Sequence, residues 1–345
     1  MNFLKKYLKI ITSLLLVGCL YLSTNSMIHY TLSKGRFGDQ IIAYAKAFYI
    51  AKTYHCGLCF TPFKGSELLC LHKNSHVVCQ QACIDHATIV ENDTIITPDR
   101  LICYHVTLST KHKELDSIEA LFSCLQKRSD LKCTLQKLLQ PACPINKIEW
   151  PQDKVTVALH VRKPSGHDTP LQSVQTYELA DYKNVAPDMS KDLQNKACSD
   201  RRYPHKFPPD QYYIDQIKRL SDRLAGQQLY VYLFTDYHDP EELVQRYSQL
   251  LKNSSHITLT CHSKAQQKKM RFIDDYYNMA QADCLIRAAS NFSRAAQLLG
   301  NHALIMFPQK TCWFDDAVIV NKVGILTVES DDIFHIETVD VFANL

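Results

Sequence analysis

The sequence lacks the features that would assign it to a nucleic-acid-binding or repeat class. Its 39 lysines and arginines are spread along 345 residues without a basic block, and the formal net charge is only +4. Binding to a nucleic-acid backbone relies on a concentrated basic surface. We therefore expect no nucleic-acid partner. No internal repeat is visible either, so a repeat architecture is not expected.

A hydrophobic run long enough to be a clear membrane-spanning helix is also absent. The apolar stretch from Ile10 to Leu22 follows Lys5, Lys6 and Lys9, and it is short for a spanning helix. This layout is typical of a signal peptide or short anchor over residues 1–26. It predicts membrane association through residues 5–22, or export: to the Golgi or endoplasmic reticulum lumen in a eukaryote, or to the membrane or periplasmic side in a bacterium. A cytosolic protein with an apolar start is the alternative.

Zinc-site spacing is missing as well. Cys56 and Cys59 form one Cys-x-x-Cys pair, but no second cysteine pair or histidine pair follows at the required distance. The sequence therefore predicts no metal site. The 14 cysteines fit an oxidising compartment in which disulfides persist. Their pairing is open, and buried thiols are the alternative.

The composition and element pattern predict an α/β chain of two domains. With 46% hydrophobic residues the chain can bury one large core or two ordinary ones. Met27 to Leu32 suits a strand, a glycine-containing loop follows, and Asp39 opens an amphipathic helix. Prolines 141, 144 and 151 mark a boundary. We expect an acceptor-side domain over 27–150 and a second domain over 151–345, both Rossmann-like and doubly wound.

The second half alternates between strand and helix patterns. Val155 to Val161 reads as a buried parallel strand because it is a continuous apolar and β-branched run. Further strands are expected at 229–234, 257–259, 284–286 and 303–307, and helices at 209–224, 240–251, 273–280 and 292–299. In the first half one long helix is expected over 113–139. The polar stretch from Lys163 to Pro208 reads as a functional loop or an insertion.

Three segments fall where open α/β sheets bind ligands, after the carboxyl ends of strands. In Gly35-Arg36-Phe37-Gly38-Asp39-Gln40, two glycines allow close approach to a ligand before a helix N-terminus. An ordinary tight turn with Asp39 as N-cap is the alternative. The pattern alone does not decide between a ligand-binding loop and an ordinary tight turn.

The second segment is Leu159-His160-Val161-Arg162. Alternation along a strand puts His160 and Arg162 on the same face. A diphosphate would suit such a buried pair, since a guanidinium binds phosphate oxygens in a bidentate manner. An arginine paired with a structural carboxylate, beside a core histidine, is the alternative.

The third segment, Ser290-Asn291-Phe292-Ser293, follows a predicted strand and opens a helix. Its hydroxyls and free N–H groups could hold a second phosphate edge. Simple helix capping by Ser290 is the alternative.

Together these segments resemble the fucosyltransferase superfamily that contains the α1,2-, α1,6- and protein O-fucosyltransferases. Gly35-Arg36-Phe37-Gly38-Asp39-Gln40 resembles the family's Gly-Arg-Phe-Gly-Asn-Gln loop, and His160-Val161-Arg162 resembles its His-x-Arg motif. The run from Asp275 to Asp283 followed by Ser290-Asn291-Phe292-Ser293 is similar to the last motif block. The resemblance covers about 60 residues spread along the chain, by the order and spacing of motifs.

The resemblance implies a GT-B fold and a metal-independent transferase that uses GDP-fucose as donor and a glycan or glycoconjugate as acceptor. It implies that Arg162 neutralises the leaving diphosphate while His160 and Ser290 to Ser293 orient it. It also implies that Gly35 to Gly38 contribute to donor binding and that Asp275 pairs with the guanine edge. No Asp-x-Asp motif is placed to hold a manganese–nucleotide pair.

Two departures from the family pattern bear on catalysis. Asp39 stands where the family has Asn, and the acid that usually follows the His-x-Arg motif has only Asp168 as a displaced candidate. Asp39 or Asp168 is therefore a hypothetical general base. The same fold using another nucleotide sugar, a noncatalytic exported glycan- or nucleotide-binding protein, and a disulfide-stabilised interaction protein are the alternatives.

Overall fold

A computed structural model of the chain describes residues 27–30, 32, 35–73, 88–90, 103–106, 118–163, 206–267, 269–314, 317–328 and 334–340. The chain divides into two compact units, Met1–Cys143 and Pro144–Leu345. The expected leader and Asp168 lie outside the described residues. Among the described helices, none has both the length and the apolar composition needed to cross a bilayer.

The first unit contains a parallel sheet in the order β2-β1-β4-β3. Its strands are β1 (Met27–Tyr30), β2 (Gly57–Leu58), β3 (Thr88–Val90) and β4 (Cys103–Val106). Its helices are α1 (Phe37–Thr53), α2 (Ile118–Gln126) and α3 (Ser129–Leu139). Short 3-10 turns cover Ser66–Leu68 and Cys70–Lys73.

The single long helix expected over 113–139 is wrong over its described part, because α2 and α3 are separate helices. Each has its own apolar stripe, and both stripes are buried, for example at Leu121 and Leu135. The backbone turns between them, where the N–H of Arg128 donates to the Leu125 carbonyl at 3.0 Å. A continuous apolar periodicity therefore concealed a change of direction.

The second unit is built on a seven-stranded sheet in the order β11-β10-β9-β8-β5-β6-β7. Its strands are β5 (Val155–Val161), β6 (Leu229–Thr235), β7 (Ile257–Cys261), β8 (Cys284–Arg287), β9 (Leu304–Phe314), β10 (Ala317–Val328) and β11 (Phe334–Asp340). Its helices are α4 (Asp210–Arg223), α5 (Pro240–Leu250), α6 (Lys264–Gln267), α7 (Phe272–Met279) and α8 (Asn291–Leu299). The predicted α/β class is confirmed.

Strands β5 to β9 pair in parallel, whereas β10 runs antiparallel to both of its neighbours, β9 and β11. The antiparallel edge was not expected from the sequence. One face of the sheet packs Val157, Leu159 and Val161 against α4 and α5 in a continuous apolar core. The other face carries Ala158 and His160, so the alternation along β5 delivers a polar side chain near the carboxyl end of the strand.

Candidate functional site

The site lies where the strand order of the second unit reverses direction. From β5 the chain builds outward through β6 and β7 on one side, and β8 and β9 lie on the other side. The connections that follow β5 and β8 therefore lead to opposite sides of the sheet. Open α/β sheets bind ligands in the crevice at such a point, beyond the carboxyl ends of the two strands. Arg162 comes directly after β5, and Ser290 follows shortly after β8.

Arg162 and Ser290 meet across this crevice. The Arg162 NH1 group donates a hydrogen bond to the Ser290 hydroxyl oxygen at 3.0 Å, and only 6% of Arg162 and 3% of Ser290 is exposed. The Arg162 Nε lies 3.6 Å from a carboxylate oxygen of Asp236, the residue after β6. The guanidinium carbon lies 5.8 Å from the ring centroid of Phe207. Three segments of chain thus fix the position of one buried cation.

His160 lies one position before the end of β5 and is held in the neutral state. Burial, followed by the positive charges of Arg162 and Arg287, lowers the pKa of His160 to about 3. Its ring packs at 6.0 Å from the ring of Phe292 on α8. The buried Nδ1 atom has no hydrogen-bond partner within the described part of the chain. Buried polar atoms usually have a hydrogen-bond partner, so a bound group could supply the partner of this nitrogen.

The start of α8 combines Arg162 with a helix N-terminus. Ser290 is the N-cap residue, but its side chain makes no capping bond and accepts from Arg162 instead. Simple helix capping by the Ser290 side chain, the alternative interpretation of this segment, is therefore not found. The Ser293 hydroxyl donates to the Ser290 carbonyl at 3.1 Å, and the Asn291 side chain accepts from Arg294 at 3.1 Å. The positive end of the helix dipole and the nearby guanidinium both favour an anion.

A second buried arginine, Arg287, was missed by the sequence analysis. It lies in register with His160 on the neighbouring strand and is fully buried. Its Nε donates to the Gln297 side-chain oxygen at 3.0 Å, and its guanidinium carbon lies 4.7 Å from the Phe307 ring centroid. The signal was a cationic residue at the end of an apolar strand, Cys-Leu-Ile-Arg.

Asp275 lies in the first half of α7, and its environment differs sharply from that of Asp274. Burial, and then the charge of Asp274, raises the pKa of Asp275 to about 7. The Asp275 charge also acts on the hydroxyl of Tyr232, whose ring lies 5.1 Å from the ring of His262 at the end of β7. Asp275 and Tyr232, the central residue of β6, therefore interact electrostatically.

Asp274 is fully buried and anchors the start of the second unit to α7. It accepts from the backbone N–H and the side-chain amide of Asn146, both at 3.1 Å, and from the N–H of Arg271 at 3.0 Å. Burial raises the pKa of Asp274, but the Arg271 guanidinium, which donates to the carboxylate at 2.8 Å, acts together with the other three donors to hold the pKa below its usual value. Asn278 accepts from the Ile148 N–H at 2.9 Å. These bonds hold the helix that carries Asp275.

The glycine loop belongs to the first unit. The Arg36 N–H donates to the Asp39 carboxylate at 3.0 Å, and the Gln40 side chain donates to the Gly35 carbonyl at 2.9 Å. Asp39 is thus the third residue of α1 rather than its N-cap. A Cβ on Gly35 would lie 2.3 Å from the Asp39 side chain, so the loop requires glycine there.

The remaining residues of that loop are placed differently from one another. Gly38 is buried in α1, whereas Gly35 and Arg36 are exposed. The Phe37 ring packs edge-on against Phe63, with centroids 6.3 Å apart. One oxygen of Asp39 is engaged at the helix start, and the carboxylate is only partly buried.

The described residues contain no group of three or more His, Cys, Asp or Glu side chains placed to hold a metal ion. Positive charge in the second unit's crevice comes from Arg162 and Arg287. Because both arginines are buried, their charges would act on a nearby anion more strongly than they would in water. The arrangement suits a ligand with a compact anionic group, and the half-buried acid Asp275 suits one that also carries hydrogen-bond donors.

The chain is similar to 32 chains of solved structures, among them three proteins of low sequence identity. POFUT1 in complex with GDP is 14% identical, covers 81% of this chain and 95% of its own, and has a TM-score of 0.44. An Arabidopsis thaliana FUT1 variant in complex with GDP is 11% identical, with coverages of 82% and 70% and a TM-score of 0.43. NodZ α-1,6-fucosyltransferase soaked with GDP-fucose is 12% identical, with coverages of 92% and 99% and a TM-score of 0.35. No protein-family model and no curated protein sequence matches the chain.

Proposed function

We propose that the chain is a glycosyltransferase that transfers fucose from GDP-fucose to a glycan or glycosylated acceptor with inversion. The observation that carries the proposal is the Arg162–Ser290 pair at the point where the strand order reverses. A diphosphate placed there would face the guanidinium and the N–H groups at the start of α8. The motif resemblance supports GDP-fucose as the donor.

The leaving group explains why a buried arginine suits the reaction. As the bond between the sugar and the diphosphate breaks, negative charge grows on the diphosphate oxygen. Arg162 is held on three sides before the reaction begins, so little reorganisation is needed to stabilise that charge. His160 is neutral at physiological pH and can donate or accept a hydrogen bond, depending on its tautomer, without adding a second full charge.

The acceptor hydroxyl needs a group that takes its proton. We propose Asp39 for this role, with Asp168, which lies outside the described residues, as the alternative. Asp39 is partly exposed and is the third residue of α1. A general base must reach the proton that it removes, and an exposed loop at a helix start allows such an approach.

The donor site is tested by titration calorimetry of the chain from Met27 onward with GDP, GDP-fucose, UDP and ADP. We expect selective binding of the guanine nucleotides, with the affinity lowered by about 100-fold or more in Arg162→Ala. Arg219→Ala is the matched control, because Arg219 is held by Gln216 on α4. A folded chain that binds no nucleotide would contradict the proposal. Selective UDP or ADP binding would instead support another nucleotide sugar.

Transfer is tested separately from binding, with radiolabelled GDP-fucose and a panel of glycan and glycopeptide acceptors. Product formation above the rate of GDP-fucose hydrolysis would support a transferase, and the anomeric configuration of the product would test inversion. A protein that binds GDP tightly but transfers to no acceptor, and does not hydrolyse the donor, would support the noncatalytic alternative.

We also propose that residues 1–26 place the catalytic part at a membrane or outside the cytosol. The support is the lysine-flanked apolar stretch of the sequence. Membrane fractionation of cells that express the full chain, compared with the chain from Met27 onward, tests this. Equal recovery of both in the soluble cytosolic fraction would contradict it.

A further inference from the structure

The residue that follows Arg162 is fixed by a carboxylate that the sequence analysis did not single out. The Lys163 ammonium group contacts the Asp210 carboxylate, although the two residues are 47 positions apart. Asp210 is the first residue of α4, where the helix dipole favours a negative charge. This ion pair joins the chain where it leaves β5 to the chain where it enters α4.

Asp210 is held by more than Lys163. The Tyr247 hydroxyl of α5 donates to it at 2.5 Å, and Arg246 NH1 lies 3.2 Å away. Burial raises the pKa of Asp210, but Lys163, Tyr247 and Arg246 together outweigh burial and keep the pKa below its usual value. Asp210 is therefore ionised and tightly located at neutral pH.

Asp210 is also connected to the backbone of Arg162, through Tyr247 and Tyr213. The Arg162 N–H donates to the hydroxyl of Tyr213, a fully buried residue of α4, at 3.2 Å. The ring of Tyr213 stacks on the ring of Tyr247, with centroids 6.4 Å apart and planes inclined by 24°. One end of this chain of contacts is the Asp210 carboxylate, and the other end is the peptide group from which the guanidinium projects.

We infer that Asp210 is a positioning residue for the anion site. It fixes Lys163 directly and, through Tyr247 and Tyr213, the backbone of Arg162, so that the guanidinium points toward Ser290. Lys163 is accordingly a structural clamp: its charge is matched by Asp210, and the cation offered to the ligand is Arg162. The inference rests on the proposed function in so far as the ligand is a diphosphate.

The alternative is that Asp210 only stabilises the fold. A displacement of about 1 Å at a charge-stabilising group costs much affinity for an anion while costing the fold little. Positioning therefore predicts an effect on binding that depends on Arg162. General destabilisation predicts an effect that is independent of Arg162, because distant and unrelated changes add.

The experiment measures the affinity of the chain from Met27 onward for GDP and for inorganic pyrophosphate by titration calorimetry. The variants are Asp210→Asn and Tyr247→Phe, which keep side-chain shape, and thermal melting confirms that each is folded. We expect about tenfold weaker binding of both ligands in Asp210→Asn and a smaller loss in Tyr247→Phe. Asp215→Asn is the matched control, because it makes the same change on α4 at a carboxylate that accepts from Gln211, and we expect a change within about twofold.

The decisive comparison repeats Asp210→Asn in the Arg162→Ala background. Positioning predicts that the substitution then changes pyrophosphate affinity by less than about twofold. Unchanged affinity in folded Asp210→Asn would overturn the inference, and so would an equal loss in both backgrounds. Pyrophosphate binding without GDP binding would sink the proposed donor but leave the positioning role testable. A parent chain that binds neither ligand would overturn both.

Discussion

Arg162 donates to Ser290 across the gap between the carboxyl ends of two neighbouring parallel strands, over 3.0 Å. The two residues are 128 positions apart. Arg162 follows β5, whose connection leads to β6, and Ser290 follows β8, whose connection leads to β9 on the opposite side. The contact therefore exists only in the folded second unit. It marks the place where a compact anion would meet both a cation and the start of a helix.

Removing the Ser290 hydroxyl is expected to disturb Arg162 more than the helix. In Ser290→Ala the buried guanidinium loses a neutral acceptor, so we expect the unfolding free energy to fall by about 1 kcal/mol. GDP affinity is expected to fall about threefold to tenfold, because the guanidinium is less fixed. Chemical denaturation and calorimetry measure the two effects.

Ser293→Ala provides the comparison, since the Ser293 hydroxyl donates to the Ser290 carbonyl and not to Arg162. It is expected to lower stability by a similar amount, and to lower GDP affinity less than Ser290→Ala does, because the Ser293 hydroxyl does not contact the guanidinium. Equal losses of affinity in both variants would mean that Ser290 acts only by shaping the helix start.

His160 is expected to make stability depend on pH on the acid side. Its folded pKa, about 3, is below the ordinary histidine value, mainly because of burial. Between these values the unfolded chain binds more protons than the folded chain, so stability is retained above about pH 6.5 and is lost as the pH falls. The loss attributable to this group is at most about 1.4 kcal/mol for each pH unit.

The measurement compares unfolding free energies of the unmodified chain and His160→Gln from pH 7 to pH 4. The variant removes the titrating group but keeps a polar side chain. We expect the unmodified chain to lose more unfolding free energy than the variant does as the pH falls. Parallel pH profiles would mean that His160 has the same pKa in the folded and unfolded chains, which would contradict the expectation.

Asp275 is expected to behave in the opposite way, because its pKa is raised to about 7, first by burial and then by Asp274. The folded chain holds this proton more tightly than the unfolded chain does. The free energy of unfolding therefore falls as the pH rises from the ordinary carboxyl pKa toward about 7. Asp275→Asn should raise the melting temperature at pH 8 and have little effect at pH 5. Thermal melts at both values test this, and an unchanged melting temperature at pH 8 would contradict it.

The same titration bears on base recognition. In the proposed complex with GDP, the ionised carboxylate would accept two hydrogen bonds from the guanine edge, whereas the amide of Asp275→Asn has one acceptor oxygen. GDP affinity should therefore rise between pH 6 and pH 8 in the unmodified chain, and the variant should lose most of its preference for GDP over ADP. ADP affinity, which needs no such acceptor, serves as the internal control.

Asp39→Asn separates chemistry from binding. The asparagine oxygen can still accept from the Arg36 N–H, so α1 should begin at the same residue. We expect transfer to fall by about 100-fold or more while GDP affinity stays within about twofold, because a general base contributes to rate. An unaffected transfer rate would eliminate Asp39 and favour Asp168.

The elements of the second unit were predictable because their signals are local. The apolar run of β5, the alternation from α4 to α8 and the loops after β5 and β8 are all visible within windows of a few residues. His160 and Arg162 follow from the strand pattern in the same way. The sequence also placed Ser290 to Ser293 at a helix start, although not the contact with Arg162.

The partners of the site residues were not predictable, since they come from distant parts of the chain. Asp236 and Asp210 lie on connections whose positions depend on sheet order, and no local pattern pairs them with Arg162 and Lys163. Arg287 was overlooked because one charged residue at a strand end usually faces solvent. The antiparallel edge formed by β10 and β11 depends on pairing that periodicity does not encode.

The two hydrogen bonds from Asn146 to Asp274 determine where the chain can be cut. A fragment that began at Pro151 would omit Asn146 and leave the fully buried Asp274 carboxylate without two of its donors. Such a loss is among the more damaging changes to a protein interior. A fragment of the second unit should therefore begin at or before Pro144, so that it keeps the short segment before β5 together with the helix that this segment secures.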